Sequence, residues 1–122
     1  MVETPRTTVE DHLIILPQIE SRQGLSAARE IAAHPLTTAI AVGPYDLSAD
    51  LGVCWKPGAP ELLEALETIR NAGEASGKPL WMIGNGPDLV KQGYTFLCLG
   101  EPIASLQGKL AELDRAAREA QD

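Results

Sequence analysis

The amino-acid sequence predicts an α/β fold in which four strand–helix units form one parallel sheet. Short apolar runs alternate with segments whose apolar residues recur at helical spacing, and Gly or Pro residues separate them. Strands that alternate with helices pair in parallel, and their connections are right-handed. In such folds ligands bind at the carboxyl ends of the strands, so residues that follow the predicted strands are the first candidates for function.

The first unit begins with the apolar residues 13 to 16, which predict a buried strand. Pro17 interrupts or ends this strand, because proline cannot donate a hydrogen bond to a sheet ladder. Ser21 can then cap a helix that runs to about Ala33. The polar residues 1 to 12 are interpreted as a lead-in to a single domain over residues 13 to 122.

The second unit has its predicted strand at residues 38 to 42, and Gly43-Pro44 forms the turn that follows. A short helix over residues 47 to 51 is expected next, because either Asp46 or Ser48 can cap it.

The third and fourth units repeat this pattern after a loop rich in Gly and Pro. Apolar residues at helical spacing predict the strongest helix of the chain at residues 61 to 75. The elements expected after it are a strand at 79 to 84, a short helix at 86 to 93, a strand at 94 to 99 and a helix at 103 to 120. The last helix carries an apolar stripe of Ile103, Leu106, Leu110, Leu113 and Ala117.

Four such units are compatible with two architectures. They can form an open, doubly wound sheet that is covered on both faces, or they can form half of an eight-unit barrel. A half-barrel would leave two strand edges and one sheet face without partners, and it would therefore have to pair with another chain or close in a different way.

Composition and charge argue against nucleic acids and membranes as partners. The 122 residues include 17 acidic and 10 basic side chains, for a net charge of −7, so no basic stripe is available for phosphates. No apolar run approaches the roughly 20 residues that span a bilayer, and no signal peptide is expected. Cys54 and Cys98 lack a metal-type spacing, which predicts free thiols and a cytoplasmic setting.

Two carboxylates follow the first two predicted strands. Glu20 and Asp46 are expected on one rim of the sheet, where they can bind Mg²⁺ or Mn²⁺ together with water and substrate oxygens. Gln18 lies two residues before Glu20, on the same side of the strand, and can hydrogen-bond a bound oxygen. A simpler interpretation stays open, in which Glu20 is a helix-start acid and Asp46 is an N-cap.

The turn after the second strand is a second candidate feature. Gly43 permits close approach of a ligand, and backbone amides after Pro44 can bind a carboxylate, although a purely geometric role for the glycine is equally compatible. His12 and His34 are expected at the opposite end of the units, so neither is placed as a catalytic base.

Several motifs together resemble the HpcH/HpaI aldolase and citrate lyase family. They are Pro17-Gln18-Ile19-Glu20-Ser21-Arg22, Val42-Gly43-Pro44-Tyr45-Asp46-Leu47-Ser48, Ala75-Ser76-Gly77-Lys78-Pro79 and Gly93-Tyr94-Thr95-Phe96-Leu97-Cys98-Leu99-Gly100. The resemblance implies a parallel (βα)4 unit like the C-terminal half of a TIM (β/α)8 barrel. It also implies metal-dependent (class II) aldol cleavage of a 4-hydroxy-2-oxo acid to pyruvate and an aldehyde through a metal-stabilised enolate.

The same resemblance assigns roles to individual residues. Glu20 and Asp46 would hold a divalent metal, Mg²⁺ or Mn²⁺. Gln18 would contact the pyruvate oxygens, and the turn of Gly43, Pro44 and Tyr45 would present its backbone to the pyruvate carboxylate.

The resemblance covers only about half of a family member, and the family's catalytic histidine and arginine have no counterpart in this chain. Three hypotheses follow. The chain is one half of an aldolase that is completed by a homo-oligomer or a complementary half-barrel chain, or it is a non-catalytic half-barrel that binds metal and oxo acid or serves in assembly. In the third, it is a purely structural α/β domain whose two carboxylates have no function. The amphipathic last helix is expected to pack against a neighbouring chain.

Overall fold

The computed structural model describes residues 12 to 54 and 56 to 120. In this part of the chain it contains four strands and six helices: β1 (Gln18–Ile19), α1 (Arg22–Ser26), α2 (Ala28–Ala33), β2 (Ile40–Val42), α3 (Pro44–Asp50), α4 (Pro60–Ala75), β3 (Leu80–Ile83), α5 (Gly86–Lys91), β4 (Phe96–Cys98) and α6 (Pro102–Glu119). The lead-in predicted over residues 1 to 12 lies outside the described residues except for His12, so it stays a prediction.

The four strands form one parallel sheet in the order β1-β2-β3-β4, which confirms the predicted α/β class. A doubly wound sheet requires the strand order to reverse at a switch point, and this sheet has no reversal. Right-handed crossovers in sequential order bring successive helices to one face of the sheet, as in a barrel. The half-barrel alternative is therefore the one that the structure adopts.

The hydrophobic core lies between the sheet and the helices on that face. The strands contribute Ile19, Ile40, Val42, Leu80 and Met82, which are all buried, and α4 packs against them through Leu62, Ala65, Ile69 and Ala72. On the opposite face Gln18 is exposed, whereas Trp81, Ile83, Phe96 and Cys98 are only half-buried. One face of the sheet is thus open, and in a complete barrel the corresponding face points inward.

The first unit differs from the sequence prediction. The expected buried strand at residues 13 to 16 is wrong, because Leu13 and Ile14 are 54% and 67% exposed and the strand is only Gln18–Ile19. Backbone pairing with the next unit nevertheless begins before β1, because the carbonyl oxygens of Ile15 and Pro17 accept hydrogen bonds from the amides of Thr38 and Ala41, both at 2.9 Å. The expected helix from Ser21 to Ala33 is divided in two at Ala27, although Ser21 caps its start as predicted.

Helix α3 also differs, since it begins three residues earlier than expected. Pro44 is at the first helical position, where its fixed φ angle favours helix initiation and its missing N–H costs nothing. Gly43 is the N-cap residue and no side chain caps the helix, so the expectation that Asp46 or Ser48 caps it is wrong. The Ser48 hydroxyl instead donates to the carbonyl oxygen of Tyr45 at 2.7 Å.

Helix α6 lies at the end of the described chain, and none of its residues is buried. Its apolar stripe of Ile103, Leu106, Leu110 and Leu113 is between 54% and 65% exposed. Among the described helices, none combines the length and the hydropathy that crossing a bilayer requires.

Candidate metal and ligand site

The candidate site lies at the carboxyl ends of two adjacent strands. Glu20 directly follows β1, and Asp46 is in the first turn of α3, which directly follows β2. The strands pair in parallel with Gln18 beside Ala41, so both loops emerge at the same edge of the sheet. The side chains of Gln18, Glu20 and Asp46 are exposed at this edge.

Gln18, Glu20 and Gly43 form the most tightly packed part of the site. The Gln18 side-chain amide donates from Nε2 to Oε2 of Glu20 at 2.9 Å. A Cβ atom on Gly43 would lie 2.7 Å from Nε2 of Gln18 and 2.8 Å from both Cβ and Oε2 of Glu20. The φ angle of Gly43 is −97°, which any residue can adopt, so close approach and not backbone conformation requires the glycine.

The simpler interpretation places Glu20 at the start of a helix and Asp46 at an N-cap. The N-cap of α3 is Gly43, so Asp46 is not a cap, although as a first-turn acid it still interacts favourably with the helix dipole. Helix α1 has no acidic residue in its first turn, so Glu20 is not a helix-start acid. The carboxylate of Glu20 is instead directed to Gln18, on the rim of the sheet.

The donor set is compatible with a hard divalent cation. Mg²⁺ and Mn²⁺ prefer oxygen ligands, and Mg²⁺ is commonly held by one or two carboxylates while water and substrate oxygens complete its coordination. Within residues 12–54 and 56–120, no group of three or more His, Cys, Asp or Glu side chains could hold a metal. Glu20 and Asp46 lie on one exposed rim and offer two carboxylates, a number that an open Mg²⁺ site commonly uses.

The turn that follows β2 is also part of this rim. The amide of Gly43 is used in the sheet, where it donates to the carbonyl oxygen of Ile19 at 3.0 Å, and Pro44 has no amide hydrogen. Tyr45 is 47% exposed, and together with Pro44 and Lys56 it lines a cavity of about 50 Å³. This cavity is large enough for water but too small for a substrate.

The larger of the described cavities is in a different place. Its volume is about 410 Å³, and its apolar lining includes Ile15, Pro17, Ile31 and Leu36. These residues flank β1 and the loop that leads into β2, so the cavity is beside the edge strand and not at the rim. Its lining also includes Glu30, His34 and Thr37, which lie at the opposite end of the strands from Glu20 and Asp46.

Neither described histidine reaches the candidate site. His34 is the C-cap of α2 and precedes β2, and its Nδ1 accepts a hydrogen bond from the amide of Leu36 at 3.3 Å. His12 is exposed and precedes β1. Both are thus at the amino end of the strands, whereas Glu20 and Asp46 follow the carboxyl end.

The family follows from a comparison with known proteins. A model of the HpcH/HpaI aldolase/citrate lyase family matches residues 2 to 102 of this chain. The chain belongs to this family. The match ends at the first residue of α6, so the exposed helix lies almost entirely outside the matched segment.

Individual relatives of this HpcH/HpaI chain are named aldolases. It is 32% identical over 107 residues to a 2-dehydro-3,6-dideoxy-6-sulfogluconate aldolase from Pseudomonas putida, which covers 84% of this chain and 42% of the relative. It is 31% identical over 110 residues to a hydroxypyruvate/pyruvate aldolase from Chromohalobacter salexigens, covering 87% of this chain and 43% of the relative.

A solved structure supports the same fold. An HpcH/HpaI aldolase from Desulfitobacterium hafniense DCB-2 matches with a TM-score of 0.78 and 25% identity, over 90% of this chain and 44% of that chain. The chain therefore spans less than half the length of each of these three relatives.

Proposed function

We propose that this chain is the metal- and oxo-acid-binding half of a class II aldolase, which cleaves a 4-hydroxy-2-oxo acid to pyruvate and an aldehyde. The observation that carries the proposal is the packing of Gln18 and Glu20 against Gly43 on the rim that also bears Asp46. The aldolase names of its relatives support the reaction class.

Glu20 and Asp46 are the proposed ligands of Mg²⁺ or Mn²⁺. When bound, such a cation polarises the 2-oxo carbonyl group and stabilises the enolate that forms when the carbon–carbon bond breaks. The two carboxylates contribute two negative charges, while their exposure leaves room for water and a substrate to complete the coordination.

Gln18 and the turn that follows β2 are the proposed contacts to pyruvate. A side-chain amide has two hydrogens on its nitrogen, and the bond to Glu20 uses one of them. The second hydrogen can be donated to a substrate oxygen while Glu20 holds the amide in orientation. The turn of Gly43, Pro44 and Tyr45 is proposed to present its backbone to the pyruvate carboxylate. The Gly43 amide already donates to Ile19 and Pro44 has no amide hydrogen, so of these three residues the proposed donor is the Tyr45 amide.

The catalytic base and the enolate-binding arginine are proposed to come from a partner. The open sheet face with Trp81 and Phe96, together with the free edges of β1 and β4, leaves a half-barrel incomplete. A complementary half-barrel chain would supply both residues and cover these surfaces, whereas a second copy of this chain would cover the surfaces without supplying the residues. The exposed stripe of α6 would pack against either partner. A cytoplasmic setting stays a prediction.

The metal site is tested by titration calorimetry of Mn²⁺ into the 122-residue chain. We expect Glu20→Gln and Asp46→Asn each to weaken Mn²⁺ binding about tenfold or more, because each leaves only one anionic ligand. The control is Asp114→Asn, which removes the same charge from the exposed helix α6. Equal Mn²⁺ affinity in Asp46→Asn and the wild type would show that Asp46 is not a metal ligand.

Assembly is tested with Leu110→Asp, which puts a charge at the centre of the α6 stripe. If α6 packs against a neighbour, the charge must be desolvated there, so the variant should have a lower mass by light scattering than the wild type. The matched control is Gln107→Asp, at an exposed position outside the stripe. An unchanged mass in Leu110→Asp would contradict the role of α6 in assembly.

A second candidate function is a non-catalytic half-barrel that binds metal and oxo acid or serves in assembly. The observation in its favour is that His12 and His34, the two histidines of the chain, both precede strands, away from the rim. The two functions differ in the product. An aldolase half releases pyruvate from a 4-hydroxy-2-oxo acid once its partner is supplied, whereas a binding module binds the acid and leaves it intact.

A further inference from the structure

We infer that Arg22 and Asp50 form a clamp that positions Glu20 relative to Asp46, so that both carboxylates can bind one cation. The inference rests on the proposed metal site and adds two positioning residues to it. Neither residue is a candidate metal ligand, and their role is exerted through the backbone segments that carry Glu20 and Asp46.

The clamp consists of two hydrogen bonds between neighbouring units. The Asp50 carboxylate accepts from the backbone amide of Arg22 through Oδ2 at 2.6 Å. In return, Nε of the Arg22 guanidinium donates to the backbone carbonyl oxygen of Asp50 at 2.9 Å. Each residue thus uses both its side chain and its backbone, which fixes the orientation of the pair as well as its distance.

The positions of the two residues connect the clamp to the site. Arg22 is the first residue of α1 and is separated from Glu20 only by Ser21, which is extended and caps the helix. Asp50 is the last residue of α3, one helical turn after Asp46. Joining Arg22 to Asp50 therefore ties the segment that carries Glu20 to the helix that carries Asp46.

The helix dipoles favour both hydrogen bonds. The Asp50 carboxylate is at the positive N-terminus of α1, where it supplies an acceptor for an amide that has none within the helix. The Arg22 guanidinium is at the negative C-terminus of α3, where it donates to a last-turn carbonyl. Charge-assisted bonds of this kind are shorter and stronger than neutral ones.

Exposure of the pair indicates that its role is local. Arg22 and Asp50 are both exposed, so water can replace either hydrogen bond and the net contribution of the two bonds to global stability is small. The Glu20 carboxylate is hydrogen-bonded to Gln18, and the clamp is anchored at Arg22, two residues further along the chain. Loss of the clamp should therefore let the Glu20 segment move while the core remains folded.

The inference is tested by Mn²⁺ calorimetry of Arg22→Met, Arg22→Lys, Asp50→Ala and Asp50→Asn in the 122-residue chain. Arg22→Met removes a positive charge near the proposed cation, so electrostatics alone would make Mn²⁺ bind more tightly. The clamp predicts the opposite effect, a loss of Mn²⁺ affinity of about tenfold. This is the lower end of the range found when residues that support metal ligands are replaced. Arg22→Lys keeps a donor and a charge and should recover part of this loss.

The Asp50 variants separate geometry from charge. Asp50→Asn removes the charge but keeps an oxygen acceptor for the Arg22 amide, so we expect a smaller loss of Mn²⁺ affinity than in Asp50→Ala. Thermal unfolding should change little in all four variants, and Asp114→Asn is the control for an exposed charge that pairs with Arg118 elsewhere.

The outcomes distinguish the clamp from the metal site itself. If the wild type binds Mn²⁺ and Arg22→Met binds it equally well or more tightly, the clamp is wrong while the proposed function stands. Equal losses of Mn²⁺ affinity in Asp50→Asn and Asp50→Ala would show that Asp50 acts only through its charge, which would also contradict the clamp. If the wild type binds no Mn²⁺, the proposed metal site is wrong and the clamp falls with it.

Discussion

Apolar side chains are buried near the rim of strands β1 and β2, whereas the apolar side chains of helix α6 are exposed. At the rim, apolar residues such as Ile19, Val42 and Leu47 are at most 1% exposed, so the core of this same chain supports the loops of the candidate site. In α6, Leu106 and Leu110 are 60% and 56% exposed. The loops of the candidate site are therefore supported by the core of the described chain, whereas the apolar stripe of α6 is not part of that core.

The largest expected effect tests whether the core and α6 differ as described. Ile69 of α4 is fully buried, so Ile69→Ala should reduce the free energy of unfolding by about 2–5 kcal/mol, from lost burial and the cavity that remains. Leu110→Ala on α6 should change it by less than about 0.5 kcal/mol at low chain concentration. Urea unfolding followed by circular dichroism measures both.

Two results would contradict the difference between the buried core and the exposed helix α6. A small effect of Ile69→Ala would show that the described core does not support the chain. A loss in Leu110→Ala as large as in Ile69→Ala would show that α6 is covered in solution by a neighbouring molecule.

The next effect concerns the close packing at Gly43. In Gly43→Ala the new methyl group would lie less than 3 Å from Gln18 and Glu20, so these side chains must shift. We expect a destabilisation of about 1–3 kcal/mol, as for other overpacked positions, together with weaker Mn²⁺ binding. The control is Gly58→Ala, because nothing lies within 4 Å of a Cβ at Gly58. Wild-type Mn²⁺ affinity in Gly43→Ala would contradict the packing that carries the proposed function.

The smallest effect concerns the start of α6. Hydrogen bonds from the amides of Ile103 and Ala104 lower the pKa of Glu101 below its usual value of 4.5. A lowered pKa means that the cap stabilises the helix above pH 4.5 and that this contribution is lost as the pH falls through the folded pKa. The first turn of α6 should therefore fray in acid while the core persists, and Glu101→Gln should remove most of this pH dependence.

Nuclear magnetic resonance measures this directly through the carboxyl carbon of Glu101 and the amides of Ile103 and Ala104. A titration midpoint of Glu101 at or above 4.5 would contradict the cap. Simultaneous loss of the α6 and core signals would show that the two regions are coupled.

Much of the fold could be predicted from the sequence, because it depends on local patterns. Alternating strands and helices predicted the parallel sheet, and Ser21 was recognised as a cap from its residue type. The early start of α3 was missed, since Pro44 was assigned to a turn although proline also suits the first helical position. The apolar stripe of α6 is exposed in this chain, and the expectation that a neighbouring chain covers it stays a prediction, because the pattern is the same whether or not a partner is present.

The candidate site was predictable in composition but not in geometry. Gln18, Glu20 and Asp46 could be chosen because they follow or flank strand ends. The contact of Glu20 with Gly43 depends on the register between strands, which one sequence does not specify. The Arg22–Asp50 clamp joins residues 28 positions apart, and the sequence indicated only that Arg22 begins a helix.

The central claim is that one rim of this half-barrel binds a divalent cation and a 2-oxo acid together. Titration calorimetry of Mn²⁺ into the 122-residue chain, with and without pyruvate, tests it most directly. If both ligands share the rim, pyruvate should raise the Mn²⁺ affinity about fivefold or more, and Mn²⁺ should raise the pyruvate affinity by the same factor. Mn²⁺ binding that is absent, or that pyruvate leaves unchanged, would contradict the claim.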